Sequence, residues 1–348
     1  MDIKKYYLVK SIYTLKRYTW LYLIILFSLN CDIKREALGA DNEINVICSI
    51  EDKKIVEKYL SQIFVDTIFT PEPEPYYYLK FSEPIAYEDL KSKAYVIVAY
   101  ADNSEENQGH LLIKKILPKE KLNDLENTNP MIFGKDVYAK KQLFMLLNLI
   151  SEERSKKIVN EKKNFIRKKF HEQFILRQSN FILGEIRNKS LEKKIFSNYG
   201  VSMIIPWGWE LIKDSPDSNF FWIGKEMPFQ WIGVNWQKGN IVNNELEVGE
   251  YMWKWLSEYY GYIQVTDYKY KMDKTTFNEN LAWRLKGVWE TIDIKGSKGG
   301  PFNSYLFYDK NNDKSFLFNY LVHHPGRDKS IYMRQMDMII KSIQVKKI

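Results

Sequence analysis

What the chain lacks narrows its chemistry first. It has two cysteines, four histidines and 16 glycines in 348 residues. Two cysteines allow one disulfide at most, and with four scattered histidines they do not make a zinc site of the usual spacing. No metal and no other cofactor is expected. No apolar run reaches the roughly 20 residues a spanning helix needs. The longest near the start, TWLYLIILFSLN (19–30), has about a dozen, the length of an export-signal core. No G-x-S-x-G element occurs, and neither cysteine is placed with a histidine for nucleophilic work. No tryptophan lies between Trp20 and Trp207.

What is present begins with a basic stretch ending at Arg17, then that apolar run, then Cys31. A cysteine directly after such a core is the pattern of a lipoprotein, in which the thiol carries a diacylglycerol and becomes the first mature residue. Acyl chains hold a protein at a membrane by about 0.8 kcal/mol per buried CH₂. Residues 1–30 are therefore read as a signal peptide, Cys31 as the lipid attachment site and 31–42 as a tether. Asn30 stands where a small residue is usual, and an uncleaved anchor is the alternative. The expected place is the cell envelope, facing the periplasm or the cell surface, with the membrane as partner through the lipid. Lipidation would leave Cys48 without a disulfide partner, a core thiol in INVICSI. The formal charge of +8 includes +4 from the first thirty residues, so the body carries about +4, a weak pointer to any polyanion. Nucleic acid is not expected as a partner.

The rest reads as an α+β protein: two antiparallel-sheet/helix sandwich domains joined by a long helix. In 43–150, EINVICSI and KAYVIVAYA read as strands and DKKIVEKYLSQIF as an amphipathic helix. The alternating prolines of PEPEPYYYLKFSEP lead into an edge strand, and VYAKKQLFMLLNL is open between strand and helix. Residues 151–187 form a long basic helix with Ser151 as N-cap. Its cations are either a solvated face or a surface for anionic lipid headgroups or cell-wall polymers. Residues 195–348 are Trp-rich and strand-rich, with KNND (310–313) as a hairpin turn and an amphipathic helix at the end.

Nine of the ten tryptophans fall between Trp207 and Trp289. Packing explains most of them, with an aromatic groove as the sharper reading. An extended backbone would put Trp207 and Trp209 on one face, whereas of Trp253 and Trp255 on a helix one should point away from the core. GSKGGPF (296–302) cannot be helical. It also lacks the strand-loop-helix setting of a phosphate cradle, and Pro301 removes an N–H. A structured turn with Phe302 tucked into the sheet is the expectation.

WETIDIKGSKGGPFNSYLFYD, with YGVSMIIPWGWE and FFWIG before it and HHPGRDKSIYMRQMDMIIKSI after it, resembles exported lipoproteins of Bacteroidota-type bacteria grouped as domain of unknown function 4837. Where that family has an acidic-arginine-glycine element and a methionine before GGPF, this chain has Arg284-Leu285-Lys286-Gly287 and Lys298. The resemblance implies an envelope lipoprotein and no activity. The opening at 201–209 also looks like the start of PsbP and Mog1-type sandwich domains, a likeness of fold alone.

The function expected from these readings is binding or assembly. The contact surface would comprise Trp289, Glu290, Gly299, Gly300 and Phe302, and the partner an envelope protein or glycan. No catalytic residue is assigned. One alternative is an envelope hydrolase using carboxylates near the turn, Glu290 or Asp309, with Asp293, His323 and His324 as further acid/base candidates. The other is a purely structural spacer.

Overall fold

The computed structural model describes residues 34–242, 244–293 and 298–345. Cys31, the stretch expected to be a signal peptide (1–30) and Gly296 lie outside the described residues. Among the described residues two large sheets, each covered by helices on both faces, dominate the architecture, beside two small two-stranded ones.

The first sheet is built from β1 (Glu43–Ile47), β2 (Tyr78–Ser82), β3 (Tyr95–Tyr100), β4 (Met131–Lys135) and β5 (Leu143–Asn148), in the order β2-β1-β3-β5-β4. The ambiguous LFMLLN run is thus a strand. The expected antiparallel arrangement does not hold in this sheet: β1 runs parallel to β2 and β3, β3 runs parallel to β5, and only β4 is antiparallel. The physical reason lies in the central strands. Every residue of β3 and β5 is buried, because helices cover both sides, and parallel strands take this continuous apolar pattern. One face packs on α1 (Lys53–Ile63) through Val56, Tyr59, Leu60 and Ile63. The other packs on α2 (Gln108–Ile116) and α3 (Lys119–Asn127) through Leu112, Ile113 and Leu125. Cys48 sits in this core, and burial pushes its thiol up to about 12, so it stays protonated.

Ser151 caps the next helical stretch, its Oγ accepting from the Arg154 amide at 3.1 Å. Glu152–Lys157 passes through a π-helical turn, Ile158–Lys162, into α4 (Lys163–Ile182). Ile166, Phe170, Phe174, Gln178 and Ile182 form a buried stripe at steps of four, while Lys156, Lys157, Lys162 and Lys168 face solvent. This stretch packs on α1 and on the last helix, α7 (Ser330–Lys341). It is not a free-standing connector.

The second sheet contains β6 (Glu210–Ser215), β7 (Phe220–Lys225), β8 (Phe229–Lys238), β9 (Ile263–Phe277), β10 (Asn280–Thr291), β11 (Gly299–Asp309) and β12 (Lys314–His323). Its order is β9-β10-β11-β12-β8-β7-β6, and every pair is antiparallel. Between β8 and β9, α6 (Glu245–Tyr260) covers one face, and Val248, Met252, Trp255 and Leu256 enter the core beneath it. On the other face lie α5 (Lys189–Tyr199) and α7 (Ser330–Lys341). Asp309 and KNND make the β11–β12 turn, with Asp309 accepting from the Asn311 amide at 2.9 Å.

Two local expectations are corrected. GGPF is the beginning of β11 and not a turn, since Gly299 and Gly300 already pair with Glu290 and Trp289. Trp207 and Trp209 do not share a face: Trp207 is 75% exposed and Trp209 is 2% exposed. Gly208 between them has φ +81°, and this left-handed step reverses the alternation of an extended chain. On α6, Trp255 is fully buried while Trp253 is half-buried against Tyr270.

Candidate functional site: an aromatic cleft at one end of the second sheet

The Trp-rich sheet ends in a cleft of about 730 Å³. The floor is aromatic. Phe229 and Trp231 lie two apart on β8 and so face one way. Trp222 from β7 meets Trp231 edge to face, centroids 4.9 Å apart, and Trp289 from β10 lies 6.1 Å from Trp231. These three indoles are only 6%, 8% and 1% exposed, so they present edges to the cleft. Tyr262, just past the left-handed Gly261 that ends α6, is 39% exposed and forms a wall 6.1 Å from Trp231. Burial pushes the Tyr262 phenol up to about 12, which keeps it a hydroxyl at neutral pH.

Polar groups rim this floor. Glu210, Glu226, Lys225, Lys298 and His323 all line the cleft. Lys298 places its ammonium 5.4 Å from the Phe229 ring centroid. Burial lowers the Lys225 pKa. His323 Nδ1 lies 2.8 Å from the Gly299 carbonyl oxygen, which can only accept. The proton is therefore on Nδ1, and Nε2 is the ring's other polar atom. The indole N–H of Trp222 makes no hydrogen bond although it is buried.

Of the residues singled out in the sequence, Trp289 and His323 line the cleft, and their neighbours build it. The indole N–H of Trp289 donates to the Val322 carbonyl at 3.3 Å. Gly300 makes room for this: a Cβ there would stand 2.0 Å from the Val322 oxygen. Gly299 supplies the carbonyl that orients His323. Phe302 is fully buried in the core beneath α6, and Glu290 accepts from Gln264 Nε2 at 3.1 Å. The two glycines thus allow close strand packing and are not a cradle of free amides.

The two carboxylates weighed from the sequence, Glu290 and Asp309, do not form a catalytic pair. Glu290 pairs with Gly299 at one end of β11, and Asp309 stands at the other end, roughly 30 Å away at the rise of a strand. His324 turns to the opposite face, against Tyr332 at 5.3 Å. Among the described residues no group of three His, Cys, Asp or Glu side chains could hold a metal, and no helix is long and apolar enough to cross a membrane. Sequence reasoning did not single out Trp222, Phe229, Trp231 and Tyr262. Their signal was the Phe229/Trp231 alternation facing FFWIG across a short turn.

Residues 257–342 match the family described as "Domain of unknown function (DUF4837)", the one the GGPF-centred motifs resemble. No curated protein matches the chain. Among solved structures, the Ran-binding protein Mog1p of Saccharomyces cerevisiae is 11% identical with a TM-score of 0.31, covering 42% of this chain and 90% of its own. LpqN of Mycobacterium tuberculosis, described as involved in cell envelope biogenesis, is 15% identical with a TM-score of 0.28, covering 42% and 83%. A protein from Bacteroides thetaiotaomicron is 13% identical with a TM-score of 0.27, covering 43% and 46%. At these values nothing about their partners transfers to this chain.

Proposed function

We propose that this protein is a binding module of the cell envelope, lipid-anchored through Cys31, and that its aromatic cleft takes a segment of an envelope glycan. One observation carries the reading: Trp222, Trp231 and Trp289 converge with Phe229 and Tyr262 on one cleft whose rim is charged and polar. Over that indole floor the partly exposed Phe229 and Tyr262 rings suit the apolar face of a sugar ring, and the carboxylates and His323 suit its hydroxyls. The carboxylate pair weighed from the sequence, Glu290 and Asp309, stands at opposite ends of β11 and lines no part of the cleft, and capture without turnover is the reading adopted.

The test is titration of the protein with soluble peptidoglycan fragments and neutral envelope oligosaccharides, read by its own tryptophan fluorescence. Phe229→Ala and Tyr262→Ala remove partly exposed rings. Each is expected to weaken binding about tenfold, the loss of one stacking contact, with the fold intact by circular dichroism. A Cys31→Ser protein is expected to leave the membrane fraction in cells while keeping its affinity. Unchanged affinity in both ring variants, or no response to any glycan, would sink the cleft reading. A Cys31→Ser protein still in the membrane fraction would sink the anchor.

A further inference from the structure

A second site lies away from the aromatic cleft, on the α7 side of the second sheet. A cavity of 150 Å³ separates the two halves there. Thr67, Phe69 and Tyr76 come from the first half, and Arg284, Lys286 and Arg334 from the second. The charges in its walls do not cancel. Arg284 is held by Asp273, and Lys341, also in the wall, by Asp337 at 2.5 Å. Neither Lys286 nor Arg334 has a carboxylate partner among the described residues.

Arg334 is the more telling of the two. It is 5% exposed, with its guanidinium 3.4 Å from the Phe174 ring centroid and 4.7 Å from that of Tyr77. It donates to the Tyr77 hydroxyl at 2.7 Å and, at 3.4 Å, to the Tyr76 carbonyl. Rings and neutral acceptors surround it, whereas a buried charge ordinarily meets an opposite one. Lys286 lies two residues from Arg284 on the same face of β10, its ammonium 5.2 Å over the Phe69 ring. Burial and the Arg284 charge lower its pKa, as they should where positive charge is in excess.

We propose that the junction cavity binds a small oxyanion, the phosphate group of a free ion or of a larger molecule, between Lys286 and Arg334. The volume admits one such group and not a sugar. An adjoining groove of 320 Å³ shares Tyr76, His171 and Arg334 and continues along Phe64 and Tyr77. It has room for an apolar chain attached to the anion. Because the walls come from both halves, the ligand would also fasten them together.

Thermal unfolding of the full chain tests this with two probes, inorganic phosphate and octyl phosphate, each against sodium chloride of equal ionic strength. Phosphate should raise the midpoint by about 2 °C or more over chloride at saturating concentration. Lys286→Gln should abolish the shift and Lys286→Arg should restore it. A larger shift with octyl phosphate identifies a headgroup as the source, and an equal shift identifies the free ion. No shift beyond chloride with either probe, or the same shift in Lys286→Gln, overturns the proposal. Neither result bears on the aromatic cleft.

Discussion

The two large sheets of this protein bury apolar surface in different ways. The first does it with aliphatic residues and tyrosine: β3 and β5 are buried on both faces, and no tryptophan lies in it. The second uses longer antiparallel strands, and seven of the nine tryptophans in that half of the chain are buried in two cores, one on each face of the sheet. Parallel strands closed on both faces leave little aromatic edge for anything else to touch. The antiparallel sheet runs beyond α6, and where that cover stops at Gly261 its indoles form the floor of a cleft. Large aromatic residues therefore stabilise the second half and equip it at once.

The largest expected effect tests whether the halves are one cooperative unit. Phe170 on α4 is fully buried against Phe64, at 4.9 Å, and Tyr95, at 5.7 Å. Phe170→Ala should cost about 3–5 kcal/mol. Every tryptophan among the described residues lies at Trp207 or later, so their fluorescence reports the second half alone. One turn after Phe170, the same helix carries Phe174 under Arg334, and Gln178 accepts from Gln335 at 2.8 Å. In urea, the fluorescence and far-UV dichroism midpoints should fall together. A dichroism curve that drops while fluorescence stays put would make the halves independent.

A smaller effect separates two kinds of glycine within the second half. At Gly300 a methyl group would meet the Val322 carbonyl, backbone against backbone. Gly300→Ala should cost about 2 kcal/mol and disturb the bond that holds Trp289. Gly208 has a left-handed φ but open space around its Cβ position, so Gly208→Ala should cost only about 1 kcal/mol, the conformational penalty. Equal losses in a urea titration would show that the close strand approach is not what Gly300 provides.

These same residues show what sequence could and could not reveal. KAYVIVAYA read as a strand because its apolar run is unbroken, yet its direction depends on crossovers that cover both faces, which a short window does not contain. A proline and two glycines in GSKGGPF read as a turn. That Gly300 instead faces Val322 is a contact across 22 positions, invisible to local pattern. Trp207 and Trp209 were misplaced by a single φ at Gly208. Trp289 was singled out for the site, but Trp222, Phe229, Trp231 and Tyr262 reach it from three other segments that only the register of the sheet brings together.

The smallest expected effect concerns the edge of the second sheet. β9 is its outermost strand, and Asp273 on it stands directly opposite Arg284 of β10. Two parallel bonds of 2.9 Å join the groups. Burial alone would raise the Asp273 carboxyl, but the hydrogen bonds and charge of Arg284 outweigh it and hold the pKa below the usual range. A folded-state pKa below the unfolded one means the unfolded chain binds more protons as pH falls. The pair's contribution is therefore complete above about pH 4, the unfolded carboxyl's range, and is lost as pH drops through the lower folded value. Both groups are partly solvated, so Asp273→Asn should cost only about 1 kcal/mol at pH 7. The gap between wild type and variant in urea titrations should close at acid pH. A gap that stays constant across that range would mean the carboxylate holds the edge strand by shape and not by charge.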